Sequence, residues 1–283
     1  MDIETINRAE KKWLTTCFDY CRALFSRFHL SSHDHTHHHR VWLNAKQLLH
    51  ELAESGITLS DELTEGLLLA SFFHDTGMTV TLDVNHGVES RKIFHGFMER
   101  NNQALAFDPE TVGKAIQYHD NKEYRDFVEN KGNLEPQILP LLSIADDLDA
   151  FSYMGIFRYA EIYLLRGIKP EELPARVVEN IDNRFRNFFA RCSGLSRLAT
   201  IQYSRFRITE DYFRDLKHLL SRHAWSRDEY AGSFGVLNTI IDYIENKEAD
   251  FEEQFTVTTR KSHDEYVKKY LSGILNDYKV GGR

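Results

Sequence analysis

The sequence predicts an all-α protein, on three observations. Apolar residues recur at helical spacing through nearly all of the 283 residues. Capping residues and glycines stand where these segments begin and end. Alternation of apolar and polar residues never lasts long enough to predict a sheet. The one short β-like run, FTVTTR at 255–260, is expected to connect helices.

The predicted helices follow one another along the chain. VWLNAKQLLHELAES carries one apolar stripe, and Gly56 ends it. The next segment begins at Ser60 as N-cap and becomes apolar on every side, as in a buried helix. NHGVESRKIFHGFMER follows, then a helix capped by Asp108 with Pro109 at its first position, then PQILPLLSIADDLDAF. After GIKPEELP, a predicted break, residues 175–278 give further amphipathic helices.

Composition limits the class of protein. With 42% hydrophobic and 28% charged residues, the chain reads as an ordinary globular protein. No apolar run approaches the ~18 residues that span a bilayer, and the first residues lack a secretory pattern, so no membrane association and a cytoplasmic location are expected. The net charge of −8 argues against stable nucleic-acid binding. An anionic substrate would therefore need a local source of positive charge.

Two apolar helices carry polar groups that are costly to bury unless they are paired or bind a metal. LLLASFFHD ends on His74 and Asp75, and LPLLSIADDLDAF contains Asp146, Asp147 and Asp149. Asp146 and Asp149 share a face, whereas Asp147 points elsewhere and is expected to be exposed. Six of the 14 histidines fall between residues 29 and 39, which indicates either a metal site or a solvated face. Ligands from three helices would converge as in bundle metal sites.

Four motifs in order resemble the HD-domain superfamily of metal-dependent phosphohydrolases. HTHHHRVW contains the pattern HxxRV, FFHDTG contains the His-Asp doublet, and SIADDLDAFSYMGIFR is similar to ADxLDAxGxxGxxR. SHDHTH is similar to the HDxxH opening of one bacterial branch. The resemblance covers about residues 31–166 and implies an HD-domain helical bundle at 1–168, including an N-terminal helix, with a C-terminal helical extension at 169–283. The metal ligands it implies are His37, His74, Asp75 and Asp146.

The resemblance also implies roles for further residues. His86 and His119 are similar to the histidines that hold a second metal in dinuclear relatives; they would otherwise orient phosphate and protonate the leaving oxygen, or be ordinary helix histidines. Asp34 and Asp149 are candidates to orient the ligating imidazoles, and Arg40 and Arg158 to bind phosphate. The other histidines of the run are expected to be solvated or to lie behind the ligands: His33, His35, His38 and His39.

This ligand set suits a divalent transition metal, Mn, Fe, Ni, Co or Zn, with Mg also allowed, as one or two ions. The implied activity is hydrolysis of a phosphate ester or anhydride of a small nucleotide or phosphorylated metabolite by metal-activated water. A regulatory nucleotide-binding module and a di-iron oxygenase are the alternatives. Many relatives have Lys where this chain has Met78, and some nucleotidases have Glu there, which leaves 5′-nucleotidase specificity unsupported. The aromatic stripes after Pro170 fit either a core or a homodimer interface.

Overall fold

The computed structural model describes residues 2–83, 85–101, 103–120 and 136–282. Every regular element in these ranges is a helix, so the prediction of an all-α protein is confirmed. None of these helices combines the length and the apolar character needed to cross a bilayer.

The N-terminal segment packs on the helices that follow it. Helix α1 (Asp2–Ala9) and helix α2 (Thr15–Phe25) are joined by one wider turn of π-helix, Glu10–Leu14. This turn places two donors on the buried carboxylate of Glu65: the indole nitrogen of Trp13 at 3.0 Å and the Lys12 ammonium at 2.6 Å. A buried carboxylate is costly without such partners, and the pairing ties the N-terminal segment to the fourth helix.

Helices α3 (His35–Glu54) and α4 (Asp61–Phe73) pack against each other and begin at side-chain caps. The carboxylate of Asp34 accepts a hydrogen bond from the amide of Thr36, and the hydroxyl of Ser60 accepts one from that of Leu63, so the Ser60 cap is confirmed. Gly56 follows α3 with a φ of 88°, a left-handed conformation that glycine adopts without strain.

Helices α5 (His86–Arg100) and α6 (Pro109–Tyr118) form a packed pair, and α7 (Ile138–Asp149) follows. Asp108 caps α6 through the amides of Glu110 and Thr111, as predicted. The side-chain amide of Asn44 on α3 donates to the carbonyl of Ala145 at 3.0 Å. This bond fixes α7 against α3 directly beside Asp146.

The remaining helices are α8 (Tyr153–Leu165), α9 (Leu173–Cys192), α10 (Ser196–Leu220), α11 (Gly232–Glu245), α12 (Phe251–Lys261) and α13 (Glu265–Gly281). The expectation that residues 255–260 form a connection is wrong, because they lie inside α12. Asp250 caps this helix, and Phe251 and Phe255, one turn apart, are both buried on the same face. Packing of that face outweighs the β-preference of the Val and Thr residues.

Contacts divide the described chain into two compact units. The first unit comprises Met1–Phe28, His33–Leu148 and Phe188–Ala199, and the second comprises His29–Ser32, Asp149–Asn187 and Thr200–Arg283. The first therefore contains α1 to α6 and nearly all of α7, and α8 belongs with the C-terminal helices. Contacts alone do not define folding domains, so the predicted domains 1–168 and 169–283 stay predictions.

The turn between α7 and α8 is conformationally strained. Ser152 has a φ of 77° and a ψ of −168°, a region that is essentially restricted to glycine. It is the one non-glycine residue with positive φ in the described ranges. Neighbouring groups hold it there, since its amide donates to the carbonyl of Arg205 and its carbonyl accepts from the Thr209 hydroxyl. Ser152 occupies the first glycine position of the ADxLDAxGxxGxxR pattern.

Candidate metal centre

The first unit brings together four buried side chains from three helices. His37 comes from α3, His74 and Asp75 from the end of α4, and Asp146 from α7. The Nε2 atoms of His37 and His74 are 3.1 Å apart, and they lie 3.5 Å and 3.4 Å from Oδ2 of Asp75. Oδ1 of Asp146 is 3.8 Å from the first nitrogen and 3.7 Å from the second. We call this group the first subsite.

A second buried group shares Asp75 with the first. Its other carboxylate oxygen, Oδ1, lies 3.2 Å from Nε2 of His86 and 3.1 Å from Nε2 of His119. His86 is the first residue of α5, and His119 directly follows α6. We call Asp75, His86 and His119 the second subsite. The two oxygens of one carboxylate therefore face two different groups of imidazoles.

Backbone hydrogen bonds fix the orientation of three of these rings. The Nδ1 atoms of His74, His86 and His119 lie 2.8–2.9 Å from the carbonyl oxygen of the residue three positions earlier. A carbonyl oxygen only accepts, so each Nδ1 carries a proton, and each ring in its neutral form presents its Nε2 lone pair to the centre. This is the second-partner arrangement that metal-ligating histidines commonly have.

The electrostatics of the centre favour a cation. Burial alone would lower the pKa of His74, but the carboxylates of Asp75 and Asp146 outweigh it and raise that pKa to about 10. Burial likewise opposes protonation of His86, yet Asp75 raises its pKa to about 9. Burial alone would raise the pKa of Asp75, but the imidazoles of His74, His119 and His37 hold it well below its ordinary value.

A divalent transition metal fits the residues present. Two imidazole nitrogens 3.1 Å apart repel each other unless a proton or a metal ion lies between them. Oδ1 of Asp75 is buried and has no hydrogen-bond donor in acceptable geometry, although two imidazole nitrogens are near it. Mixed imidazole and carboxylate donors are the ligands that Mn, Fe, Co, Ni and Zn accept. Both buried groups could therefore hold a metal ion.

Two glycines allow α5 to reach the centre. A Cβ atom on Gly77 would lie 2.0 Å from the carbonyl oxygen of His86, and one on Gly87 would lie 2.4 Å from that of Gln117. Both neighbours are backbone atoms that cannot swing aside. Gly77 therefore lets α5 pack on the turn after Asp75, and Gly87 lets its first turn contact the end of α6. Gly77 belongs to the sequence motif HDTG, but the motif alone did not show that this glycine allows the close packing of α5.

The other predicted site residues have partners of their own. The carboxylate of Asp34 accepts hydrogen bonds from the amide and hydroxyl of Thr36, and the same hydroxyl accepts one from Arg40 at 2.9 Å. In the second unit, the guanidinium of Arg158 lies 3.1 Å from the carboxylate of Asp149, and both are buried. The roles proposed for these four residues in orienting ligands and binding phosphate stay predictions.

The other histidines of the run were expected to be solvated or to lie behind the ligands, and the structure does not support the solvated alternative. His33, His38 and His39 are buried and His35 is half-buried. Aromatic side chains of neighbouring helices contact the three that lie on α3. The expectation that Asp147 is exposed is wrong: it is buried, since α7 offers no solvent face. Its apolar neighbours could have indicated this. The sequence did not distinguish His33 from the other histidines of the run. In the structure, its Nε2 atom lies 3.9 Å from Oδ2 of Asp75.

Comparison of the sequence with protein-family models agrees with a metal centre at these residues. The model of the HD domain family matches residues 35–154, which include all six residues of the two subsites and less than half of the chain. No curated protein and no solved structure matches the sequence. The regular elements in the described part of this segment are helices, and the segment carries His37, His74, Asp75 and Asp146 in the order of the motifs. The match over residues 35–154 supports membership of the HD-domain superfamily.

Proposed function

We propose that this protein is a metal-dependent phosphohydrolase that cleaves a phosphate ester or anhydride of a small nucleotide or phosphorylated metabolite. One observation carries the proposal: in an HD domain, Asp75 faces two buried imidazole groups through its two oxygens. Asp75 with His37, His74 and Asp146 would hold one ion, and Asp75 with His86 and His119 would hold a second.

The charge of the centre supports an anionic substrate. The ligand set contains two carboxylates, Asp75 and Asp146, and four imidazoles that are neutral when they bind a metal. Two divalent ions would leave an excess of two positive charges in a buried site, where electrostatic attraction is strong. That excess supplies the local attraction for phosphate that a chain with a net charge of −8 needs. A bound divalent ion would supply Lewis-acid chemistry, lowering the pKa of water and polarising a phosphoryl oxygen.

The protein residues would hold and orient the reacting groups. The Nδ1 bonds to backbone carbonyls keep the Nε2 atoms of His74, His86 and His119 aimed inward. Met78 is buried at the position where many relatives have Lys, so no ammonium group binds phosphate there. The Nε2 atom of His33 lies 3.9 Å from Oδ2 of Asp75, and we propose that His33 contacts the substrate, together with Arg40.

The test is hydrolysis by protein freed of metal and reloaded with Mn, Ni, Co or Mg. We expect phosphate release from at least one member of a panel of phosphomonoesters, phosphodiesters and nucleotides, restored by metal. His37→Ala should abolish it, because that imidazole contacts both carboxylates of the first subsite. His50→Ala is the matched control on the same helix, half-buried and outside both subsites.

Three results would contradict the proposal. Tight nucleotide binding without turnover would favour a regulatory module, and oxygen consumption by iron-loaded protein would favour an oxygenase. Full hydrolysis by metal-free His37→Ala would show that the centre is not involved.

A further inference from the structure

Two buried serine hydroxyls connect the histidines of the second subsite to the rest of the centre. The Oγ atom of Ser90 accepts a hydrogen bond from the amide of Gly77 at 2.8 Å. The Oγ atom of Ser143 donates to the carbonyl oxygen of His119 at 3.0 Å. Both serines are at most 1% exposed, so water does not compete for either bond.

Each bond joins a histidine of the second subsite to an element that carries another ligand. Ser90 lies four residues after His86, on the same face of α5, and its partner Gly77 lies two residues after Asp75. The bond therefore fixes the first turn of α5 to the chain that leaves the shared carboxylate. Ser143 lies three residues before Asp146 on α7, so its bond fixes the backbone of His119 to the helix of the last ligand of the first subsite.

The first subsite does not depend on these bonds. Its ligands come from α3, α4 and α7, and α3 is joined to α7 by the bond between Asn44 and Ala145. The second subsite has three ligands, and two of them are carried by α5 and by the end of α6. Its geometry is therefore set by how these two elements dock.

We propose that Ser90 and Ser143 are positioning residues that determine the metal affinity of the second subsite. The inference rests on the proposed function, because it assumes an ion at each subsite. Removing either hydroxyl leaves a buried backbone group without its partner, at Gly77 or at His119. The histidine then loses its fixed distance to Oδ1 of Asp75. Loss of such supporting partners commonly weakens metal binding by about 10–100-fold.

The experiment is a titration of metal-free protein with Mn²⁺ alone, followed by calorimetry and by electron paramagnetic resonance. The wild type should bind two ions in a tighter and a weaker step, and the loaded pair should show exchange coupling. In Ser90→Ala and in Ser143→Ala, the weaker step should lose affinity by about 10–100-fold while the tighter step is unchanged. The spectrum should then be that of isolated Mn²⁺.

Thr64→Val is the matched control, because this buried hydroxyl donates to the Ser60 carbonyl at the start of its own helix, ten residues before His74. It should leave both steps unchanged. The inference is overturned if both serine variants bind two ions as the wild type does, or if both steps weaken equally. If Ser90→Ala does not fold, Ser143→Ala decides alone. A wild type that binds a single ion would overturn the inference too, whereas the proposed hydrolysis is decided separately by phosphate release.

Discussion

Replacing Gly77 by alanine should detach His86 from the metal centre. The added Cβ would lie 2.0 Å from the carbonyl oxygen of His86 and 2.6 Å from the amide nitrogen of Ser90, whereas ordinary contact begins at 3.4 Å. The first turn of α5 must therefore retreat by about 1.4 Å, the difference between 3.4 and 2.0 Å. Such a movement also breaks the hydrogen bond from the Gly77 amide to Ser90.

The consequence for metal binding follows from bond lengths. Nε2 of His86 now lies 3.2 Å from Oδ1 of Asp75. Two ligands with metal bonds of about 2.1 Å share an ion only when they are no more than about 4.2 Å apart. A retreat of about 1.4 Å brings the pair to that limit or beyond it. We expect loss of the second ion, retention of the first, and a fall of about 1–3 kcal/mol in the free energy of unfolding from overpacking.

The assays are Mn²⁺ stoichiometry and urea denaturation of metal-free protein. Gly96→Ala is the control on the same helix, because its Cβ would meet only the flexible end of Arg100 at 3.4 Å. It should keep both ions and gain about 0.5–1 kcal/mol, the usual benefit of alanine inside a helix. A Gly77→Ala variant that binds two ions and unfolds like the wild type would refute the reasoning.

Three further predictions concern the fold. Ser152→Gly should raise the free energy of unfolding by about 1 kcal/mol. Relief of the backbone strain should exceed the cost of the larger conformational entropy that glycine gives the unfolded chain. Urea denaturation identical to that of the wild type would contradict the strain. Asp264→Ala should cost about 1 kcal/mol at pH 7 through loss of a helix cap. The pKa of Asp264 lies below 3.8 because its carboxylate accepts bonds from the Val267 and Gly232 amides. The difference in free energy of unfolding between the wild type and Asp264→Ala should therefore be complete above pH 3.8. It should shrink as the pH falls through the lower pKa that Asp264 has in the folded protein. A constant difference down to about pH 2 would argue against this prediction. Burial raises the pKa of Cys192 to about 12 and also raises the pKa values of Cys17 and Cys21. A thiol reagent at about pH 8 should therefore modify the cysteines only after the protein unfolds. Rapid labelling of the native protein would disprove this prediction.

Local signals in the sequence were reliable where a residue acts on its own helix. Ser60 and Asp108 cap helices as predicted, because capping depends on the next three amides. The β-like run at 255–260 misled for the opposite reason: its helix depends on the burial of Phe251 and Phe255, which the local propensity does not report. Exposure of Asp147 was misjudged because one helix face was assumed to meet solvent.

The sequence by itself determined the helical class and the order of the ligand-bearing motifs, since both depend on residue type and spacing along the chain. Only the tertiary structure decided which atoms meet. It divides the imidazoles between the two oxygens of Asp75, and it buries most of the histidine run. It also shows that Gly77, Ser90 and Ser143 hold α5 and the end of α6 at the centre. These facts concern distances between residues far apart in the chain, which packing fixes and periodicity does not.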